Sequence, residues 1–196
     1  MGLLQTAPAP VLVYGSVPAG YRVRTILAPV DFSPFSRTAV EWALCLAALV
    51  GARLRLLHVV PDPSSKWARR LRRAAVEMVA DERRRAERQL REFGSPGISV
   101  EAVVAQSRDP AAGIREAQRD GIDLVALGAS GRTGLDSMLG SVTRRVARDC
   151  VCPVLVLPVS TRVSPREVWR RGVGAPASSS SESADSASAR SSRRRR

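Results

Sequence analysis

Lysine is almost missing from this 196-residue chain: Lys66 is the one lysine among 31 basic residues, and the other 30 are arginine. A Walker A phosphate loop needs a Gly-Lys-Ser/Thr run, and no such tripeptide is present. Schiff-base chemistry would have to fall on Lys66, which sits in an arginine-rich stretch. Histidine is as scarce. A Ser-His-Asp triad would have to use His58, and a multi-histidine metal site is excluded. The three cysteines, Cys45, Cys150 and Cys152, are odd in number and form no CxxC pair. They read as reduced, buried thiols in a cytosol. No apolar run approaches the ~18–20 residues that span a bilayer. The N-terminal residues show no basic patch ahead of an apolar stretch, so no secretory signal is visible. A cytoplasmic, soluble protein with no membrane contact is the expectation.

What the chain has in excess is positive charge, a formal +13. Nine arginines against three acids after residue 159 supply +6 of it. Such charge attracts polyanions without reading them. No zinc-finger, RRM or homeodomain pattern accompanies it.

The chain divides into three stretches. Residues 1–23 carry Ala-Pro repeats and no amphipathic period, and read as an extension with a short strand at 11–14. Residues 24–159 alternate strand and helix patterns. Residues 160–196 lose periodicity, and the Ser/Ala run at 178–192 followed by four arginines predicts a disordered tail.

Within the middle stretch, 25–30 is a β-branched apolar run that stops at Asp31, as buried parallel strands do. Ser33 or Ser36 then caps a helix with the apolar face Ala39, Val40, Ala43, Leu44, Ala47 and Ala48, ended by Gly51. A second strand at 54–60 leads to a long helix over 65–93, striped by Trp67, Leu71, Ala75, Met78, Val79, Ala86, Leu90 and Phe93. The third strand is 98–104. A helix opened by Asp109-Pro110 follows, then a fourth strand at 123–128. A glycine-rich loop runs from Gly128 to Gly140. Ser141 is expected to cap a helix to about residue 149, ahead of a fifth strand at 153–157. The pattern predicts an α/β fold: a five-stranded parallel sheet with right-handed crossovers and helices on both faces.

In such sheets ligands bind outside the carboxyl ends of the strands, at the switch point. Three segments should converge there. The first strand ends at Asp31, whose carboxylate can accept from a ribose or base edge, or serve only as a turn or capping residue. The second strand ends at His58-Val59; His58 reads as a strand-end structural residue. The fourth runs into the glycine loop, where backbone amides can approach phosphate oxygens without Cβ interference. The helix after Gly140 aims its free N–H groups and positive end at the same place. No carboxylate pair, lysine or histidine base accompanies the loop. No catalytic residue and no metal ligand is therefore assigned, and any hydrolysis should be slow.

The segment 25–49, Leu-Leu-His-Val at 56–59, the strand Asp123-Leu-Val-Ala-Leu-Gly128, and the stretch from Gly140-Ser-Val-Thr to Cys152-Pro-Val-Leu-Val resemble the universal stress protein family over about residues 24–158. The resemblance implies a Rossmann-like sheet of strand order 3-2-1-4-5 and ATP, with magnesium, as a regulatory ligand in stress adaptation. It also implies a homodimer paired through the last strand. By position it suggests Asp31 and the Val59 backbone for adenosine, and Gly128, Gly131, Gly140, Ser141 and Val142 for ribose and phosphates. Pro29 and Leu127 would be neighbouring contacts. Two departures stand out. Eight residues separate Gly131 from Gly140 where the family's ATP-binding pattern has nine, and Gln106-Ser107-Arg108 replaces a small glycine after the third strand. The alternatives are a family member acting through protein interaction alone, favoured by the short spacing, or a basic polyanion or nucleic-acid binder.

Overall fold

The five apolar runs do become five parallel strands, and a sixth strand lies beside them. The computed structural model describes residues 4, 7–61, 66–92, 97–130 and 139–168. In chain order the elements are β1 (Val11–Val13), β2 (Thr25–Pro29), α1 (Pro34–Val50), β3 (Arg53–Pro61), α2 (Lys66–Glu92), β4 (Val100–Ser107), α3 (Pro110–Gln118), β5 (Leu124–Gly128), α4 (Ser141–Arg148) and β6 (Val154–Leu157).

The sheet order is β1-β6-β5-β2-β3-β4. The expected five strands keep their expected order, but the sheet has six, because the short strand expected in the extension forms over Val11–Val13 and joins it. β1 pairs antiparallel with β6, opposing Val11 to Val156, Leu12 to Leu155 and Val13 to Val154. The outer edge of β6, which the resemblance assigns to a second copy, is therefore occupied by the chain's own extension. The physical reason is that the bare edge of an all-apolar strand is a template for any extended segment, and the chain's own extension supplies one.

Side chains of each strand alternate between two cores. Ile26, Ala28, Leu54, Leu56, Leu124 and Ala126 face α1. Leu27, Leu57, Val125, Leu127, Val154 and Val156 join Ile114 of α3 and Val146 of α4 on the opposite side. Burial on both sides explains why these strands read as unbroken apolar runs. α2 packs beside α1, and α3 beside α4, so the sheet is doubly wound.

The helix ends follow their sequence signals. Ser33 Oγ accepts from the Ser36 N–H at 3.1 Å, Pro34 opens α1, and Gly51 closes it in the left-handed region at φ 70°. Asp109 caps α3 by accepting from the Ala112 N–H at 3.0 Å. At α4 the expectation changes. Gly140 holds the cap position with no side-chain bond, and Ser141 is the first helical residue, solvent-exposed. Along α2, Ala75 is buried as expected but Met78 is exposed. The side chains of Trp67, Leu71, Val79, Ala86, Leu90 and Phe93 lie outside the described residues.

α1 is buried over more than its predicted face. Trp42 and Cys45 are also covered. Cys45 Sγ donates to the Pro165 carbonyl at 3.3 Å, and Val168 packs against the same core. The disordered tail expected from residue 160 therefore does not begin there: residues 160–168 run back over the domain, held by the Cys45 and Val168 contacts. Ser160 Oγ donates to the Ala7 carbonyl at 2.7 Å, and the Arg162 N–H to the Pro8 carbonyl at 3.1 Å. The Ser/Ala run and terminal arginines, expected to be disordered, lie outside the described residues.

Candidate functional site

A cavity of about 340 Å³ opens where β2 and β5 diverge at their carboxyl ends. Of the nine residues singled out by sequence, eight line it: Pro29, Asp31, Val59, Leu127, Gly128, Gly140, Ser141 and Val142. Gly131 lies outside the described residues. His58, Ser130 and Thr143 also line the cavity.

One wall is built at the ends of β2 and β3. Asp31 Oδ1 accepts from the Ser33 N–H at 3.0 Å, so its turn role is real, and its side chain still borders the cavity. The turn is made by Phe32, the one non-glycine residue with positive φ among the described residues, at 64°. A phenylalanine there is strained by roughly 1–2 kcal/mol. Its ring settles on His58, with centroids 4.8 Å apart and planes tilted by 41°. His58 Nδ1 lies 2.6 Å from the Val30 carbonyl. A carbonyl only accepts, so Nδ1 carries the proton and His58 buttresses the end of β2, the structural role expected of it.

The opposite wall is built at the end of β5 and the start of α4. Gly128 is glycine because of packing: a Cβ there would lie 2.9 Å from the Phe35 carbonyl oxygen. Its own carbonyl accepts from Thr143 Oγ1 at 2.7 Å, which ties the first turn of α4 to the strand. The Gly140 N–H donates to the Ala129 carbonyl at 2.7 Å. Beyond it, the first-turn amides of α4 have no capping side chain and no acidic neighbour in that turn. Orphan helix amides and the positive end of the helix dipole make such a place a receptor for anions.

α3 closes the cavity with Pro110 and Ile114. It can sit so close because of Gly113, whose Cβ would fall 2.9 Å from both methyl carbons of Val59. A glycine inside a helix costs ~0.5–1 kcal/mol relative to alanine, and that cost is the sequence signal that could have flagged it. Arg145 of α4 forks onto Asp109 at 3.1 and 3.2 Å, locking the starts of α3 and α4 together. The Ala112 N–H and this guanidinium hold the Asp109 carboxyl below the usual aspartate range. Thr143 and Ser130 escaped sequence reasoning, since a hydroxyl near a glycine loop has no pattern of its own.

The cysteines stand apart from the cavity. All three are free thiols. Burial pushes Cys152 up to about 11, with Cys150 and Asp123 adding to the shift. It is a poor nucleophile at neutral pH.

Fold and cavity together define a doubly wound α/β protein with a cavity at its switch point. Residues 22–158 match the model of the universal stress protein family, and the chain belongs to that family. It is similar to the universal stress protein YxiE of Bacillus subtilis, at 26% identity over 67% of this chain and 97% of that protein. Among solved structures it resembles the universal stress protein UspA from Lactobacillus plantarum, at 26% identity and a TM-score of 0.60, covering 69% of this chain and 98% of that one. It also resembles MJ0577, described as a hypothetical protein whose biochemical function was assigned from structure. That likeness is 25% identity with a TM-score of 0.59, over 69% and 96% of the two chains.

Proposed function

We propose that this protein binds ATP, or another adenine nucleotide, as a regulatory ligand, with adenosine toward Asp31 and Val59 and phosphates toward Gly140–Val142. The observation that carries the reading is the meeting of Asp31 with the uncapped start of α4 in one cavity of about 340 Å³. Magnesium would ride on the phosphates and water, since no cluster of three or more His, Cys, Asp or Glu among the described residues could hold a metal. Among the described lining residues Asp31 is the one carboxylate and His58 is tied to the Val30 carbonyl, so hydrolysis is slow and the nucleotide acts by occupancy. The nucleotide-binding unit is residues 24–159, with β1 and residues 160–168 packed on it away from the cavity; it works in the cytoplasm and serves stress adaptation.

Calorimetry with Mg-ATP tests this: heat at micromolar-range affinity is expected, with a rise in melting temperature because only the folded state holds ligand. No heat and no thermal shift at millimolar ATP would favour the second reading, action through protein interaction alone. The eight-residue spacing from Gly131 to Gly140 is what speaks for that reading. The basic C-terminal tail adds salt-sensitive polyanion contacts, which removal of residues 169–196 should abolish on heparin while leaving ATP affinity unchanged.

A further inference from the structure

Left at an edge, β6 would be a site for association. Its four residues, Val154-Leu155-Val156-Leu157, are all buried and apolar. A strand of this kind presents a row of unpaired backbone groups flanked by apolar side chains, which is a template for any extended segment. The most abundant candidate is the same strand of a second copy, because an antiparallel pair about a two-fold axis matches an edge to itself. The segment seated there is β1 of the same chain, in register over three residues.

β1 is short, and three residues of pairing would be weak alone. Two further contacts hold it. Ser160 and Arg162, just past β6, bond the carbonyls of Ala7 and Pro8 just ahead of β1. Ala7 is buried by this arrangement, and Val13 packs into the core beside α3 and α4. The stretch after Arg162 is itself fixed on α1 through Pro165 and Val168.

We propose that β1, clasped by residues 160–162, is an intramolecular cap on the β6 edge that keeps this chain from pairing edge to edge with a second copy. The cap excludes a second copy by occupying the same backbone groups. Its strength sets the concentration at which association through β6 begins. The outward edge of β1 is a poorer template, since it offers three residues and its central Leu12 is already half-exposed. The inference is independent of what the cavity binds.

Two measurements on the full-length chain test it. In the first, the facing pair Leu12→Cys and Leu155→Cys is oxidised. A covalent single chain is expected, and a covalent dimer would overturn the proposal by showing that β1 comes from another copy. In the second, Val11→Asp with Val13→Asp would force carboxylates against β6 and the core, releasing β1 while leaving β2 to β6 untouched. Sedimentation of the parent chain should give the mass of one chain, and the double variant should give twice that mass at micromolar concentration. A variant that keeps the single-chain mass would refute the cap, whether the amides of β6 exchange freely or stay protected.

Discussion

The two walls of the cavity are made from opposite materials. At the ends of β2 and β3, polar groups are already engaged: Asp31 with the Ser33 N–H, and His58 with the Val30 carbonyl. At the start of α4, the helix amides have no side-chain cap. A wall whose groups are satisfied offers shape and edge contacts to an uncharged ligand part. A wall of unsatisfied donors draws negative charge. The difference teaches that ligand polarity is set by which backbone groups the fold leaves open, more than by which side chains line the cavity.

The largest effect should come from the residue that holds the two walls in place. Gly128→Ala would set a Cβ against the Phe35 backbone, which cannot rotate away. Overpacking of this kind costs ~1–3 kcal/mol. At ~2–4 °C per kcal/mol for a chain this size, melting should fall by several degrees. An unchanged melting temperature with lost ATP binding would instead make Gly128 a ligand residue, as its motif position suggests.

Next in size is Gly140→Val, which adds bulk at the open end of α4. ATP affinity should fall about tenfold or more, ~1.4 kcal/mol, while adenosine binding stays within a factor of ~2. Equal losses for ATP and adenosine in a folded variant would erase the contrast between the walls. Asp31→Ala should act on the other wall and treat both ligands alike. A loss of about fivefold is expected for each, the ~1 kcal/mol of one hydrogen bond. Titration calorimetry with the two ligands reads both variants.

The smallest effect is a pH dependence. Asp109 has a lowered pKa in the folded chain, through the Ala112 N–H first and Arg145 as well. A carboxyl depressed on folding stabilises above its ordinary value, ~3.9. That stabilisation is lost as pH falls through the folded value. The parent chain should therefore lose slightly more melting temperature on acidification below pH ~4 than Asp109→Asn does. The half-exposed setting of the pair, open to solvent screening, keeps the difference near the limit of the measurement. Parallel melting curves for the two chains would show that the lock between α3 and α4 does not titrate.

Much of the parallel sheet was legible because its cause is local: apolar β-branched runs end at Asp31, Gly128 and Pro158, and caps at Ser33 and Asp109 announce the helices. The candidate cavity was legible for the same reason, since strand ends in a doubly wound sheet converge on the switch point. What stayed hidden depends on contacts remote in sequence. A short strand at 11–14 was legible, but its antiparallel seat on the edge of β6 was not, because the partner lies more than 140 residues away. The burial of Trp42 and Cys45 follows from the returning stretch around Pro165 and Val168. The glycine at 128 looked like a phosphate contact, and its packing cause, Phe35, is invisible without the α1 approach.

The clasp between Ala7 and Ser160 joins positions 153 residues apart. Contacts of such separation form late in folding, because loop closure must come first. During synthesis β1 emerges early and has nothing to pair with until β6 has left the ribosome. The parallel sheet can assemble from β2 onward without it. The newly completed chain therefore passes through an interval in which its stickiest edge is bare, and crowding among nascent copies matters most then. Pulse-labelled amide exchange during refolding should find β6 gaining its outer-edge protection last, after β2, β3 and β5 are already closed.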